Sequence, residues 1–156
     1  MRENGIHYYD VDVVDVAAGN NVRVVRPVNL YGCSLGDNVF VGPFVEIQTG
    51  VKIGAGTRIQ SHSFVCELVT IGTDCFIGHG VMFINDTFAK GGPARGEQSF
   101  WKPTSVANNV SIGSNATILP VTVCSKVVIG AGSVVTKDIT TPGVYAGNPA
   151  RRIKEF

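Results

Sequence analysis

A repeat of six residues runs through this 156-residue chain and limits the folds open to it. Large apolar residues return at every sixth position, at Leu35, Val41, Ile47, Ile53, Ile59, Val65, Ile71, Ile77 and Phe83. Small or β-branched residues follow four places later, at Val39, Val45, Val51, Thr57, Ser63, Val69, Cys75, Val81 and Thr87. This period matches neither a helix nor an alternating strand. It predicts an all-β solenoid with three short strands in each coil of about 18 residues.

The repeat extends to both sides with slips. Upstream it passes through Val16, Val22 and Val28, and then takes a seven-residue step to Leu35. Downstream it passes through Val106, Ile112 and Ile118, steps by five to Val123, and continues at Ile129 and Val135. The count predicts about six coils, over residues 16–88 and 106–140, around a dry aliphatic axis.

The segments that do not follow the six-residue period predict structures outside the coils. Residues 89–105 are polar and glycine-bearing, and they predict an inserted loop, which in a repeat scaffold commonly carries function. Residues 141–156 predict a tail that Pro and Gly lead away from the coils. A non-repeat strand over the first coil is predicted from Tyr8, Tyr9, Val11, Val13 and Val14.

Composition narrows the classes of function. With 44% hydrophobic and 16% charged residues, residues 1–156 predict one soluble domain with a sizeable core. A net charge of +1 argues against a nucleic-acid partner, and no apolar segment is long enough to span a membrane. The first residues lack the apolar core of a signal peptide, so we expect a cytoplasmic protein. The four cysteines lack zinc or redox spacing, which predicts reduced structural thiols.

Two motifs near the C-terminus make a more specific resemblance. The sequence IGAGSVVTKDI at residues 129–139, followed by GNPAR at residues 147–151, resembles the hexapeptide-repeat acyltransferases, which are left-handed parallel β-helices. The resemblance implies a homotrimer that binds acetyl-CoA as co-substrate in a cleft between neighbouring subunits. It places the CoA contacts on Ser114, Ala131, Thr136, Lys137, Arg151 and Lys154. The alternative is that the cations among them are solvated surface residues.

The acceptor is indicated by the residues around the insertion. FIGHGVMFIND at residues 76–86, with WKPT at residues 101–104, is similar to N-acetyltransferases that modify amino groups of nucleotide-linked amino-deoxy sugars for surface glycans such as lipopolysaccharide. This similarity implies that Asn85, with Asp86 beside it, orients the amine or stabilises the oxyanion. No metal is implied. The alternative for Asn85 and Asp86 is a turn pair that opens the loop.

The histidines keep a second reaction open. Sugar O-acetyltransferases of this superfamily carry a histidine base in the inserted loop, whereas this loop has none. His79 lies where the sugar N-acetyltransferases usually have proline, and His62, 17 residues earlier, is expected next to it in the adjacent coil. O-acetylation of a sugar hydroxyl with His79 as base is therefore the alternative reaction. A zinc hydratase of this fold needs paired histidines that are absent here, and a β-helix binding module is the alternative without catalysis.

Overall fold

The structure is a computed structural model that describes residues 12–156 and, nearer the N-terminus, the backbone of β1 (Arg2–Glu3) and β2 (Ile6–His7). These two strands pair antiparallel. The strands that follow are β3 (Asp12–Val14), β4 (Ala17–Ala18), β5 (Arg23–Val24), β6 (Asn29–Tyr31), β7 (Ser34–Leu35), β8 (Phe40–Val41), β9 (Glu46–Ile47), β10 (Lys52–Ile53), β11 (Arg58–Ile59), β12 (Phe64–Val65), β13 (Val69–Ile71), β14 (Phe76–Ile77), β15 (Met82–Phe83), β16 (Thr104–Val106), β17 (Val110–Ile112), β18 (Thr117–Ile118), β19 (Thr122–Val123), β20 (Val127–Ile129), β21 (Val134–Val135), β22 (Gly143–Ala146) and β23 (Arg151–Lys154).

The strands from β3 onwards form three sheets, which are the faces of a prism. The first face contains β3, β6, β9, β12, β15, β18 and β21, and the second contains β4, β7, β10, β13, β16 and β19. The third contains β5, β8, β11, β14, β17, β20, β22 and β23. Neighbouring coils pair in parallel, and β23 pairs antiparallel with β22. The predicted parallel β-solenoid is confirmed.

The core lies along the axis of the prism and consists of the repeat residues. All nine large apolar positions from Leu35 to Phe83 end a strand, and each is at most 3% exposed. The small positions are also buried, with the exception of Thr87, which lies in the insertion and is half-buried. A two-residue strand turns its second side chain inward, so one large residue per strand and one small residue per corner fill the axis.

In the first coil, the phase of the repeat differs from the one that the sequence predicted. The residues in register with Leu35, Val41 and Ile47, each one coil earlier than its partner, are Ala18, Val24 and Leu30. The residues predicted for those places are Val16, Val22 and Val28, which precede the strands at the small corner positions. The step across the corner is therefore five residues, from Leu30 to Leu35, like the later step from Ile118 to Val123.

The number of coils is close to the prediction. Six coils are complete, and a seventh consists of β21, a bridge between Val123 and Ile139, and β22. Val13 and Val14 belong to β3, which pairs in parallel with β6, so they form part of the first coil and not a strand across its end. The other residues predicted for that strand, Tyr8, Tyr9 and Val11, lie outside the described residues.

Both ends of the insertion and the course of the tail also differ from the prediction. The last coil strand before the insertion ends at Phe83, so residues 84–88 belong to the insertion, which contains a 3₁₀ helix at Gln98–Phe100. The coils resume at Thr104 and not at Val106, because β16 begins there. The tail does not leave the prism, because β22 pairs with β20 and continues the third face. Among the described residues, no helix has the length and apolar character that crossing a membrane requires.

Candidate functional site

Three of the predicted site residues form a stack on one edge of the prism. His79, Ser114 and Ala131 occupy the corner between the third face and the first in three successive coils, here called the His79 edge. The backbone nitrogen of Asn115 donates to the His79 carbonyl oxygen at 2.8 Å, and that of Gly132 donates to the Ser114 carbonyl oxygen at 2.8 Å. Because adjacent strands lie about 4.8 Å apart, these residues form a continuous strip along the edge.

Glycines allow the coils to pack closely along this strip. A Cβ atom at Gly78 would lie 2.7 Å from the backbone nitrogen of Ser114. At Gly113, a Cβ atom would overlap the backbone nitrogen of Ala131. Ser114 is half-buried and Ala131 is exposed. The edge below His79 is therefore lined by backbone and small side chains, which leaves room for an elongated ligand to lie against it.

Ser61 contacts the imidazole of His79. Nδ1 of His79 lies 2.9 Å from Oγ of Ser61, and the His79 side chain is exposed. Ser61, not His62 as the sequence predicted, lies next to His79, because the coils are here in register at 18 residues. His62 instead stacks on Phe44, with ring centroids 4.8 Å apart. When Nδ1 donates its proton to Ser61, Nε2 remains free as an acceptor.

Asn85 lies on a different edge, between the first face and the second. It is half-buried, and its Nδ2 donates to the carbonyl oxygen of Glu67 in the preceding coil at 3.3 Å. The Asn85 carbonyl oxygen accepts from the backbone nitrogen of Lys102 at 2.9 Å, and Gln98 Nε2 donates to Oε2 of Glu67 at 3.3 Å. The coil and the insertion together hold Asn85. Glu67 and Gln98 were missed in the sequence because neither belongs to a motif.

The carboxylate of Asp86 is occupied by the insertion itself. Oδ1 accepts from the backbone nitrogen of Phe88 at 2.9 Å, and Oδ2 accepts from that of Ala94 at 2.7 Å. Asp86 also forms an antiparallel bridge with Trp101. These contacts match the turn-forming alternative for Asp86, since a carboxylate that orders two backbone amides is poorly placed to exchange protons with a substrate.

His79 and Asn85 flank one strand, β15, and therefore occupy neighbouring edges. Six residues of extended chain span at most about 20 Å. The prediction that the two residues stand one face apart is confirmed. A small acyl group held at one edge does not reach the other edge of the same prism unless the ligand crosses the first face.

The remaining predicted CoA contacts lie in the seventh coil and beyond it. Thr136 and Lys137 are exposed after β21, and Arg151 and Lys154 are exposed on β23. Lys137 and Arg151 line the same depression, of about 280 Å³, which Arg152 and Tyr145 also line. The structure thus brings two predicted cations together. Arg152, which the sequence analysis did not single out, donates to the Pro142 carbonyl oxygen at 2.8 Å and pairs with Glu155.

The cysteines behave as structural thiols. All four are free, and Cys33, Cys66 and Cys75 are buried. Burial, the main cause, raises the pKa of the Cys66 thiol to about 12. At neutral pH this thiol therefore stays protonated and unreactive. Within residues 12–156, no group of three His, Cys, Asp or Glu side chains converges on a point where a metal ion could sit.

Two family models match separate parts of the chain. Residues 32–67 match the bacterial transferase hexapeptide (six repeats), and residues 103–137 match the hexapeptide repeat of succinyl-transferase. The resemblance to the hexapeptide-repeat acyltransferases is confirmed by these matches.

Known proteins resemble the chain over most of its length. The bifunctional protein GlmU of Thermotoga petrophila is 28% identical over 161 residues, which cover 92% of this chain and 34% of the relative. The chain therefore spans about a third of the length of this curated relative.

Solved structures share the fold. A mutant of AntD, an N-acyltransferase from Bacillus cereus in complex with dTDP and coenzyme A, is 23% identical with a TM-score of 0.77, over 88% of this chain and 82% of AntD. A hexapeptide-repeat acetyltransferase from Vibrio cholerae in complex with acetyl coenzyme A is 28% identical with a TM-score of 0.66, over 79% of this chain and 70% of that protein.

Proposed function

We propose that this chain, which carries the hexapeptide repeat of the bacterial transferases, is an acetyl-CoA-dependent N-acetyltransferase. The acceptor is the amino group of a nucleotide-linked amino-deoxy sugar that is used in surface-glycan synthesis. The observation that carries the proposal is the stack of His79, Ser114 and Ala131 on one edge, which runs towards the end of the prism where Arg151 of β23 pairs with Ala146. Complexes of similar proteins with coenzyme A, acetyl coenzyme A and dTDP support it.

The His79 edge suits an acyl-CoA arm. Backbone groups at Ser114 and Ala131 offer hydrogen bonds to the amides of the pantetheine arm without bulky side chains in its way. Lys137, Arg151 and Lys154, all exposed near the end of the prism, offer charge to the CoA phosphates. The thioester then lies towards His79, at the opposite end of the strip.

The acceptor amine would lie beside Asn85. A sugar amine is nucleophilic once deprotonated, so proximity and orientation supply most of the rate. The Asn85 carboxamide is held by Glu67 and by the insertion, and it orients the amine or stabilises the oxyanion at the thioester carbonyl. Because His79 and Asn85 occupy neighbouring edges, a second copy that presents its Asn85 edge to the His79 edge would complete the site. A homotrimer provides such a cleft three times.

A second candidate reaction is favoured by the contact between His79 and Ser61. A hydroxyl acceptor needs a general base, and His79 is exposed on the edge where the thioester is expected. The Ser61 hydroxyl would hold the ring with Nε2 directed away from the coil. In this alternative the enzyme is an O-acetyltransferase, and Asn85 serves only to open the insertion.

The two reactions are separated by Asn85→Ala, His79→Ala and the control His62→Ala, each assayed with a panel of aminodeoxy nucleotide sugars. For an amine acceptor, Asn85→Ala should lower kcat by roughly 100-fold, the scale of one lost oxyanion contact, and His79→Ala should cost little. For a hydroxyl acceptor, His79→Ala should lower kcat by about 10²- to 10⁴-fold. His62 is an exposed corner residue, so His62→Ala should leave turnover unchanged. Wild-type turnover in Asn85→Ala on the best amino sugar would refute N-acetylation through Asn85.

A further inference from the structure

Cationic and aromatic residues alternate along the outside of the third face. The outward residues of β5, β8, β11 and β14, which follow one another in register, are Arg23, Phe40, Arg58 and Phe76. The outward residues of the second face are instead small apart from Lys52, namely Ala17, Ser34, Thr70, Ser105 and Thr122. The outward residues of the first face from β6 onwards include no arginine, namely Asn29, Glu46, Phe64, Met82, Thr117 and Val134. The column of arginine and phenylalanine is thus confined to the third face and to the earlier coils.

The two guanidinium groups stack on one ring. The Cζ atom of Arg58 lies 4.4 Å from the centroid of the Phe40 ring, and that of Arg23 lies 5.8 Å from it. Between residues 12 and 156, the ion pairs are Arg26 with Asp12 and Arg152 with Glu155, so neither Arg23 nor Arg58 is paired with a carboxylate there. A stacked guanidinium keeps its N–H groups in the plane of its fork, where they can bind two phosphate oxygens.

The column leads to the His79 edge from the side opposite to the cofactor strip. Phe76 is in register with Arg58 and precedes His79 by three residues in the same coil. Ser114 and Ala131 lie in later coils than His79, whereas Arg58 lies one coil earlier and Arg23 three coils earlier. At about 4.8 Å per coil, the strands that carry Arg58 and Arg23 lie about 5 and 14 Å before the level of His79, and both guanidinium groups contact the Phe40 ring in the coil between them. A hexose ring linked to a diphosphate spans a comparable length.

We propose that Arg23, Phe40 and Arg58 form the subsite that binds the diphosphate of the nucleotide-linked acceptor. The subsite rests on the proposed function, and it assigns the earlier coils to the acceptor and the later coils to acyl-CoA. Arg58 and Arg23 bind phosphate oxygens, and the exposed ring of Phe76 packs against the sugar on the way to His79. Selection of a nucleotide-linked sugar over the free sugar follows from the two arginines.

The test is calorimetric titration with dTDP and, separately, with UDP, in the presence of saturating CoA so that the cofactor site is filled. For whichever of the two nucleotides the wild-type protein binds, Arg58→Ala should raise the dissociation constant by about tenfold. The double variant, with both Arg23→Ala and Arg58→Ala, should raise it by about 100-fold. Arg58→Lys keeps the charge but loses the fork, and should fall between wild type and Arg58→Ala. The matched control is Lys52→Ala, which removes one outward cation from the neighbouring strand of the same coil and should leave affinity unchanged.

Three results would overturn the subsite. Wild-type protein that binds CoA but neither nucleotide at millimolar concentration would show that the face does not take a diphosphate. Equal nucleotide affinity in the wild type and the double variant would show that the two arginines do not bind the nucleotide. A lower sedimentation mass for the double variant would show that this face joins copies of the chain. Failure to bind CoA in every protein, including the wild type, would instead count against the proposed function.

Discussion

Asp86 offers a sharp test of how the insertion is held. Its carboxylate accepts two backbone amides, from Phe88 and Ala94, at 2.9 and 2.7 Å. A hydrogen bond to a charged group contributes about 1.5–3 kcal/mol, and for a half-buried carboxylate we take about 2–4 kcal/mol for the pair. Asp86→Ala should therefore raise the open population of the loop by about 30- to 700-fold, at 1.4 kcal/mol for each factor of ten.

Limited trypsin digestion measures this opening, because Lys90 and Arg95 within the insertion are each followed by glycine. When opening is fast, cleavage at these two sites follows the open population, so the nicking rate should rise by the same factor while the melting temperature of the coils stays unchanged. Glu97→Ala is the control, since the exposed Glu97 carboxylate accepts only from the Ser99 hydroxyl, and its loss should change nicking little. An unchanged nicking rate in Asp86→Ala would refute the role of Asp86 as loop anchor.

Three further predictions concern the cofactor, the core and the thiols. Replacing both Arg151 and Lys154 by alanine should raise the KM for acetyl-CoA by about 3- to 30-fold with a smaller fall in kcat, since exposed charge contacts each contribute about 1 kcal/mol or less. An unchanged KM would show that both residues are solvated surface cations that do not contact CoA. Phe83→Ala should lower the free energy of unfolding in urea by about 3–5 kcal/mol because the ring is fully buried, and a loss below about 1 kcal/mol would contradict its place in the core. Because burial raises the pKa of Cys66 to about 12, iodoacetamide at pH 8 should label the half-buried Cys124 well before Cys66, as mass spectrometry can show; the reverse order would contradict the placement.

The sequence predicted the coils because the packing rule is simple. Each strand turns one side chain inward, so a large residue such as Ile59 and a small one such as Thr57 identify the axis without any knowledge of neighbouring coils. The same rule left the phase of the first coil ambiguous. Valine is small enough for the corner position and apolar enough for the strand-end position, so Val16, Val22 and Val28 fit either position of the repeat.

The parts that could not be predicted depend on register between coils. Successive coils before the insertion are 17 or 18 residues apart, and this single residue decides whether His62 or Ser61 lies next to His79. The stacking of Arg58 on Phe40 depends on the same register. The tail was mispredicted because β22 continues the third face through backbone hydrogen bonds, which any sequence without a badly placed proline can form.

Acyl-CoA binding on the His79 edge is tested most directly by calorimetric titration of acetyl-CoA into wild-type protein and into Ala131→Glu. Ala131 is exposed on this edge, so a glutamate there should leave the fold intact while it places a negative charge and extra bulk against the expected path of the cofactor. Wild-type protein should bind one acetyl-CoA per chain, and Ala131→Glu should bind at least about tenfold more weakly. Thr70→Glu, an exposed change on the second face, should bind like wild type. No binding to wild type, or equal affinity in Ala131→Glu, would contradict a cofactor site on the His79 edge.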